Sequence, residues 1–423
     1  MLSTLRNAWK VPELRKRFLW TIFLVAIFRI GIHIPVPGID TSYLSSMTNS
    51  DGLLGFYNLI SGGALSKFSI FALSVSPYIN ASIIVQLLTI AIPSLEQLSK
   101  EGEEGRKKIQ SITRYASIAI GFVLAIGIYS MIAAQGAASG LGTAEKTVVL
   151  ISLVVGSTFC MWLGDQITQK GFGNGVSILI FVNIVSQLPT TLMSLFTLKE
   201  AGEISIIEIV LFLIGALALL AVTIYFSLAE RRVPIQYAGK AVGAKVMKGQ
   251  STHIPLSLIG SAVIAIIFAM SVMMFPETIA NFFPTKGWSK WILTNPYSIF
   301  NKSTWMYPVC YAVLTVFFTW FYTQITFKPD EMAENLHKSA GFVPGIRPGE
   351  ATEKYFEKLL TKVSIIGGLF AAFLAVTPIL VGKYISGVQF GGTSLLILIG
   401  VALDFSRQLD SQLVMRHYDG FLK

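Results

Sequence analysis

The chain has 423 residues, of which 53% are hydrophobic and only 13% are charged, and its mean hydropathy is +0.64. Soluble domains carry about 25% charged residues, so this composition excludes a soluble globular protein and indicates a polytopic membrane protein. The formal net charge is +10 at pH 7, and its distribution along the chain bears on the orientation in the membrane.

The first apolar element is the run over 18–34, which follows a basic amphipathic stretch. This run has no small-residue cleavage site and leads into further apolar segments. We therefore expect it to be retained as a membrane span rather than removed as a signal peptide. Arg29 stands inside it.

The second element, NLISGGALSKFSIFALSVSPYINASIIVQLL at 58–88, is apolar but interrupted twice. Gly62, Gly63 and Lys67 break its first part, and the dipeptide Ser76-Pro77 follows. Proline removes a backbone donor and disfavours helix at the residue before it. A lipid-facing anchor gains nothing from such breaks, so either the segment is not a simple span or the break serves the function.

The apolar runs together predict an all-α fold of ten spans. A hydrocarbon core about 30 Å thick requires roughly 20 apolar residues in a helix, and shorter runs are tolerated. The predicted spans are 18–35, 71–92, 112–134, 147–167, 174–195, 205–228, 255–275, 307–327, 363–382 and 388–405.

The basic residues predict the orientation of these spans. If the N-terminus is cytoplasmic, 25 of the 33 Lys and Arg residues lie in cytoplasmic segments. Because basic residues favour the cytoplasmic side, we expect both termini there. Ten spans divide into two halves of five, over 1–200 and 201–423. An odd number of spans per half requires the halves to be inverted, as in many transport proteins with a pathway between two halves.

Two cytoplasmic loops, 229–254 and 328–362, are longer than plain connectors. Both are polar, basic and rich in turn residues. One interpretation is a topology signal that also attracts lipid headgroups. The alternative is a docking platform for a cytosolic partner. Length and the Pro/Gly content favour the platform, because a topology signal needs only a few lysines.

Several kinds of chemistry are missing from the predicted spans. Ion-coupled transporters use intramembrane carboxylates or charge pairs, and the span interiors here are nearly free of charge. No histidine lies deep in a span, which excludes an intramembrane serine protease, and no phosphate-binding loop is present for an ATPase. Cys160 and Cys310 are far apart and form no metal pattern. We expect no catalytic residue, cofactor or metal.

Branched aliphatic residues recur one helical turn apart in two spans. Val75 and Ile79 stand in the second span, and Val176 and Ile180 in the fifth. A ring of such residues can close a pore by packing and by excluding water. Ordinary helix packing also explains this spacing, and from spacing alone it is favoured.

Several long strings indicate a family. They are FALSVSPYINASIIVQLLT, KEGEEGRKKIQSITRYA, MWLGDQITQKGFGNGVSILIF, QSTHIPL, KSAGFVPGIRPGEATEKY and FGGTSLLILIGVALDF. With these strings in this order, nearly the whole chain resembles the SecY family, whose members are the central channel subunits of the bacterial protein translocase.

This resemblance implies a fold and a function. The fold is two inverted halves of five spans around an hourglass pore, with a short plug helix at about 55–70. The function is a protein-conducting channel, not an enzyme. It passes unfolded preproteins across the membrane and releases transmembrane segments sideways into the lipid bilayer.

The family pattern also implies roles for particular residues. The pore ring comprises Val75, Ile79, Val176, Ile180, Ile267 and Ile397. The plug includes Phe56, Asn58, Leu59, Gly62, Gly63, Leu65 and Lys67. The lateral gate includes Asn80 and Gln86, although an ordinary interhelical hydrogen bond is an equal alternative for both. The partner-docking residues are Arg231, Arg232, Lys245 and Arg347.

The implied partners are the small membrane subunits SecE and SecG, the SecA motor ATPase, the ribosome and preprotein signal sequences. The implied location is the bacterial cell (inner) membrane. Two other functions remain as alternatives. A solute transporter conflicts with the uncharged spans and the large basic loops, and an insertase without a pore would lack the plug segment.

Overall fold

The computed structural model describes residues 9, 11–39, 58, 61–134, 142–200, 202, 204–237, 241–242, 245–246, 251–260, 262–282, 286–301, 304–384 and 392–419. Within these ranges, ten helices of at least 16 residues follow the ten predicted spans in order. They are α1 (Pro12–Gly31), α2 (Ser76–Ala91), α4 (Glu103–Ala134), α5 (Thr143–Lys170), α6 (Gly175–Glu200), α7 (Ile206–Leu228), α8 (Ala262–Phe282), α10 (Met306–Phe327), α12 (Glu350–Tyr384) and α13 (Gly392–Asp419).

Shorter elements connect the long helices. The short helices are α3 (Pro93–Lys100), α9 (Gly287–Thr294) and α11 (Pro329–Lys338). The strands are β1 (Glu230–Tyr237), β2 (Ala241–Val242), β3 (Lys245–Val246), β4 (Ser251–Ser257) and β5 (Gly341–Phe342). Among the described residues, six helices are long and apolar enough to cross a membrane unaided, and α2 with α3 forms a seventh candidate bent by 101°.

Two predicted spans begin later than the apolar runs suggest. The second was expected from 71, but α2 starts at Ser76, because Ser74 has a φ of +48° and Pro77 fits the first turn of a new helix. The seventh was expected from 255, but residues 251–257 form β4, and α8 starts at Ala262. The observed fold is therefore mostly α, as expected, with a small β component in addition.

The long helices form two groups that follow the chain. Helices α1, α2, α4, α5 and α6 pack on one another, and α7, α8, α10, α12 and α13 do the same. Each group has its own apolar core. One contains Leu65 and Leu153, the other Tyr311 and Leu374. The groups contact each other in two places, where α6 packs against α13 and where α4 packs against α8.

The two long loops, which were predicted above to be cytoplasmic, fold together into one small domain, termed here the cytoplasmic domain after that prediction. It comprises β1, β4, β5, α11 and the first turns of α12. Strand β1 pairs antiparallel with β4 from the same loop and with β5 from the other. The alternation along ERRVPIQY buries Val233 and Ile235 on one face. Phe356 and Leu360 of α12 complete this core.

Candidate functional site

Five of the six proposed ring residues lie in one apolar cluster between the two groups of helices. Val75, Ile180 and Ile397 are buried in it, and Ile79 and Val176 pack against it. They come from the start of α2, from α6 and from α13, so the cluster joins elements of both halves. Such a closed cluster of branched aliphatics excludes water and hydrated ions.

The sixth ring residue behaves differently. Ile267 on α8 is half-buried and is not a member of this cluster. Val263, one turn earlier on the same helix, packs against it instead. On α8, the residue that packs against this cluster is thus one turn before the residue that the family pattern indicates, and the pore ring itself stays a prediction.

Two glycines allow α6 to approach α5 closely beside the apolar cluster. A Cβ on Gly164 of α5 would lie 3.0 Å from Val176 Cγ2, and one on Gly175 of α6 would overlap the Gly164 carbonyl. The start of α6, and with it Val176, is therefore held directly against α5. A larger residue at either glycine would displace the ring.

The segment before α2 was expected to be a short helix over about 55–70. From residue 61 to residue 75 the backbone instead makes consecutive turns, with positive φ at Gly62, Gly63, Phe68 and Ser74. A right-handed helix cannot pass through such residues. Phe56 and Leu59 lie outside the described residues. The stretch 61–75 is termed the plug segment below.

Local hydrogen bonds give the plug segment a defined shape. Asn58 accepts from Gly63 N at its carbonyl (2.9 Å) and from Ser66 N at Oδ1 (3.0 Å). The end of the segment is tied to the chain after α1, because Val36 N donates to the Phe68 carbonyl (2.9 Å) and Ile70 N to the Ile34 carbonyl (3.0 Å). The segment is therefore held to the N-terminal half.

The predicted plug residues face three different surroundings. Leu65 is fully buried in an apolar cluster with α4 and α5, away from the ring cluster. Lys67 is exposed. Gly62 and Gly63 lie against polar side chains of α1 and α6, and a Cβ on Gly63 would be 3.0 Å from Gln187 Nε2. The glycines thus permit a close approach between the turn backbone and α6.

Both residues assigned to the lateral gate bond across the contact between the halves. Asn80 Oδ1 accepts from Ser271 Oγ of α8 at 3.4 Å. Gln86 Oε1 accepts from Tyr322 Oη of α10 at 3.3 Å. Both bonds are long, and interhelical hydrogen bonds in membranes contribute only about 0.6–2 kcal/mol each. This contact, formed by α2 and α4 with α8 and α10, is termed the seam below.

The docking residues lie on the cytoplasmic domain. Arg231 and Arg232 are exposed on β1, and Arg347 is exposed in the turn before α12. Lys245 belongs to β3, and its side chain lies outside the described residues. The Arg347 carbonyl accepts from Thr352 Oγ1 at 3.0 Å, so its turn is fixed by the backbone while the guanidinium is free to reach a partner.

The sequence pattern missed several residues of this site. Ser271 and Tyr322 complete the seam, Asn183 and Gln187 of α6 lie against the glycine pair, and Ser186 accepts a hydrogen bond from Arg29. One signal was available, because Asn183, Ser186 and Gln187 form a polar stripe at helical spacing within an apolar span. The partners across the seam had no such signal, since isolated Ser and Tyr residues are common in apolar helices.

Comparison with known proteins places this geometry in context. The family model described as SecY matches residues 69–406. A protein translocase subunit SecY from Rickettsia typhi is 41% identical over 419 residues, covering 97% of this chain and 96% of the relative. The one from Halalkalibacterium halodurans is 40% identical over 443 residues, covering 100% of both.

Solved structures share the fold. The structure of a protein-conducting channel superposes with a TM-score of 0.69 at 19% identity, covering 97% of each chain. Sec61 in the canine ribosome–channel complex superposes with a TM-score of 0.63 at 18% identity, again covering 97% of each chain.

Proposed function

The chain belongs to the SecY family, and we propose that it forms the pore of a Sec translocase in the bacterial cell (inner) membrane with both termini in the cytoplasm. The protein is a protein-conducting channel and not an enzyme. It conducts unfolded preproteins across the membrane and releases apolar segments into lipid.

The apolar cluster between the two groups of helices is the observation that supports assigning the constriction to particular residues. Val75, Ile79, Val176, Ile180 and Ile397 meet between the two halves. We assign the contribution of α8 to Ile267 or to its neighbour Val263. Such a constriction blocks ions although it contains no charged side chain. A charged side chain at this position would bind some passing side chains and repel others. Small helix shifts open it, because aliphatic contacts have no preferred partner.

The two groups of helices supply the movement that opening requires. We propose that they correspond to inverted halves, 1–200 and 201–423, hinged about the contact of α6 with α13. The weak hydrogen bonds of Asn80 and Gln86 close the opposite side. A signal-sequence helix of modest hydrophobicity can compete with such bonds, and this supports the assignment of the seam as the lateral exit.

The cytoplasmic domain supports the assignment of partners. Its exposed arginines suit bidentate pairing with RNA phosphates or with carboxylates on a motor. The similar Sec61 was solved in a ribosome–channel complex. We propose that Arg231, Arg232, Lys245 and Arg347 dock the ribosome and the SecA motor ATPase. The small membrane subunits SecE and SecG complete the proposed complex.

Reconstitution tests the proposed function. The purified chain with SecE and SecG should translocate a preprotein into liposomes when SecA and ATP are added. Vesicles without SecA, or with a preprotein lacking its signal sequence, are the controls. ATP-independent accumulation of a small solute, together with no protected preprotein, would favour a secondary transporter and overturn the proposal.

A further inference from the structure

Arg29 is a charged side chain inside the apolar run of α1, and the constriction does not use it. Charged groups at this depth are costly and normally face a polar interior, so each one calls for a functional explanation. Arg29 Nη1 donates to Ser186 Oγ on α6 at 2.9 Å. Ser186 Oγ in turn donates to the Asn183 carbonyl at 2.7 Å. The guanidinium is thus fixed against α6.

The fixed guanidinium lies beside the plug segment. A Cβ on Gly62 would be 2.9 Å from Arg29 Nη1 and would overlap the Asn183 side-chain amide. Asn183 is fully buried. Gly62 has a φ of +68°, so its backbone reaches this position only because the residue has no side chain. Arg29 and Asn183 therefore form a polar seat closed on one side by the glycine backbone.

The seat suits the shape of the segment that it meets. Consecutive turns leave backbone carbonyls without the regular partners of a helix, and buried carbonyls need donors. A guanidinium offers five N–H donors in a fixed plane. Asn183 stands three residues after the ring residue Ile180 on the same helix. The seat is therefore about one helical turn from the proposed constriction. A plug segment held in this seat would lie over the constriction.

We propose that Arg29 and Asn183 are positioning residues that hold the plug segment in its closed place. The inference rests on the proposed function and identifies what retains the plug. In the closed channel Arg29 contacts the Gly62-Gly63 backbone, and it releases this backbone when the channel opens. The strength of this seat sets how readily the resting channel leaks and how hydrophobic a signal sequence must be.

A double-mutant cycle with the plug segment tests the proposal. Arg29→Met should raise the resting ion conductance in planar bilayers severalfold, because the Gly62 backbone would lose the charged, polar group that lies against it. Arg29→Lys should restore part of the seal. In a channel lacking residues 57–67, Arg29→Met should change the conductance no further. Ile30→Ser, which alters a side chain that is 66% exposed on the same helix, is the control.

Two results would overturn the proposal. One is an Arg29→Met channel as tight as wild type. The other is an equal rise in conductance with and without residues 57–67, because Arg29 would then act on the helix bundle rather than on the plug. The cycle measures resting leak without translocation. A wild-type channel that fails to move preprotein would refute the proposed function instead.

A glycine variant keeps the proposal testable if Arg29→Met does not assemble. Gly62→Ala should also raise the leak, because its methyl group would overlap Asn183. Gly202→Ala is the matched control, since Gly202 has a similar φ of +78° but no atom within 4 Å of the position that a methyl group would take. Equal leak from the two variants would attribute the effect to backbone strain and count against the seat.

Discussion

Tyr322 Oη of α10 donates a hydrogen bond to Gln86 Oε1 of α2 at 3.3 Å, across the seam between residues 236 positions apart in sequence. Ser271 and Asn80 form a second such bond at 3.4 Å. Neither is accompanied by an ion pair across the seam among the described residues. The polar contacts found across the seam are thus two long hydrogen bonds, which contribute little to its stability.

The seam bonds should set the threshold for a signal sequence. Tyr322→Phe combined with Ser271→Ala removes both hydroxyl donors and keeps the aromatic ring. At about 0.6–2 kcal/mol per bond, loss of both bonds should increase the population of the open state by at least about tenfold. Translocation of a preprotein with a weakened signal sequence should therefore rise.

Thr89→Val is the control for the seam, because the Thr89 hydroxyl bonds only within its own helix, to the Gln86 carbonyl. If the seam pair leaves the weak preprotein untranslocated, or if Thr89→Val rescues it equally, Gln86 and Asn80 make ordinary helix contacts.

Polar substitution of the ring should loosen the closed channel. Ile79→Ser with Ile180→Ser removes aliphatic packing that would be worth about 2–5 kcal/mol per residue in a soluble core, and less beside water. Resting ion leak should rise, and the demand for a hydrophobic signal sequence should relax as the equilibrium shifts toward open. Single-channel recording and a secretion assay measure the two effects.

The matched control changes aliphatics on the outer faces of the same helices. Ile84 of α2 is 46% exposed and Val185 of α6 is 39% exposed. Ile84→Ser with Val185→Ser should leave the resting conductance at the wild-type level. Equal leak from both pairs would mean that Ile79 and Ile180 do not form the constriction.

Deleting residues 57–67 should give an assembled channel with a raised resting conductance. The deletion removes the buried Ala64 and Leu65, but the larger Phe68 and Phe71 remain in the core. The apolar packing of the N-terminal half is therefore mostly kept, while the cover of the constriction is lost. Planar-bilayer recording checks the leak, and an unchanged resting conductance would contradict the assignment of this segment as a plug.

Arg347→Glu should abolish SecA-driven secretion and leave the channel folded. The side chain is exposed, and its turn is held by the bond from Thr352 to the backbone, so the substitution changes charge without removing a structural contact. Secretion by the reconstituted complex and the apparent affinity for SecA are the measurements. Lys199→Glu, an equal change of charge on the exposed end of α6, is the control. Normal secretion by Arg347→Glu would remove this residue from the docking surface.

Sequence patterns predicted the helices better than the contacts between them. Each long helix contains an apolar run, and hydropathy alone locates such runs. Helices α4 and α12 begin about ten residues before those runs, because amphipathic cytoplasmic turns continue them. The strands of the cytoplasmic domain were missed. Residues 255–257 of β4 had been assigned to the seventh apolar span, and β5 comes from a loop far from β1 in sequence, so that pairing arises only after folding.

The candidate site divides in the same way. The family strings assigned Val75, Ile79, Val176, Ile180 and Ile397 to the ring. The structure brings these five residues to one apolar cluster, and their role as a pore ring stays a prediction. The turns of the plug segment could not be derived, since the positive φ at Phe68 accompanies packing of its side chain in a tertiary cluster and does not follow from local preference. Likewise, no spacing rule predicts that Val263 rather than Ile267 packs against the apolar cluster, because this depends on how α8 packs.

The 35-residue helix α12 contributes residues both to the cytoplasmic domain and to the core of the C-terminal group of helices. Its first turns place Phe356 and Leu360 in the cytoplasmic domain, and its later turns place Phe370 and Leu374 in the C-terminal core. At about 1.5 Å per residue it is a rod roughly 50 Å long. The helix is clamped to α10 by the bond from Gln324 Nε2 to Thr361 Oγ1 at 3.0 Å.

This rod joins the cytoplasmic domain to the C-terminal group of helices. We therefore expect a partner that tilts the domain to displace α12 as well, and α10 should follow because Gln324 and Thr361 bond the two helices together. Tyr322 lies two residues from Gln324, so we expect part of that displacement to reach its hydrogen bond with Gln86 across the seam.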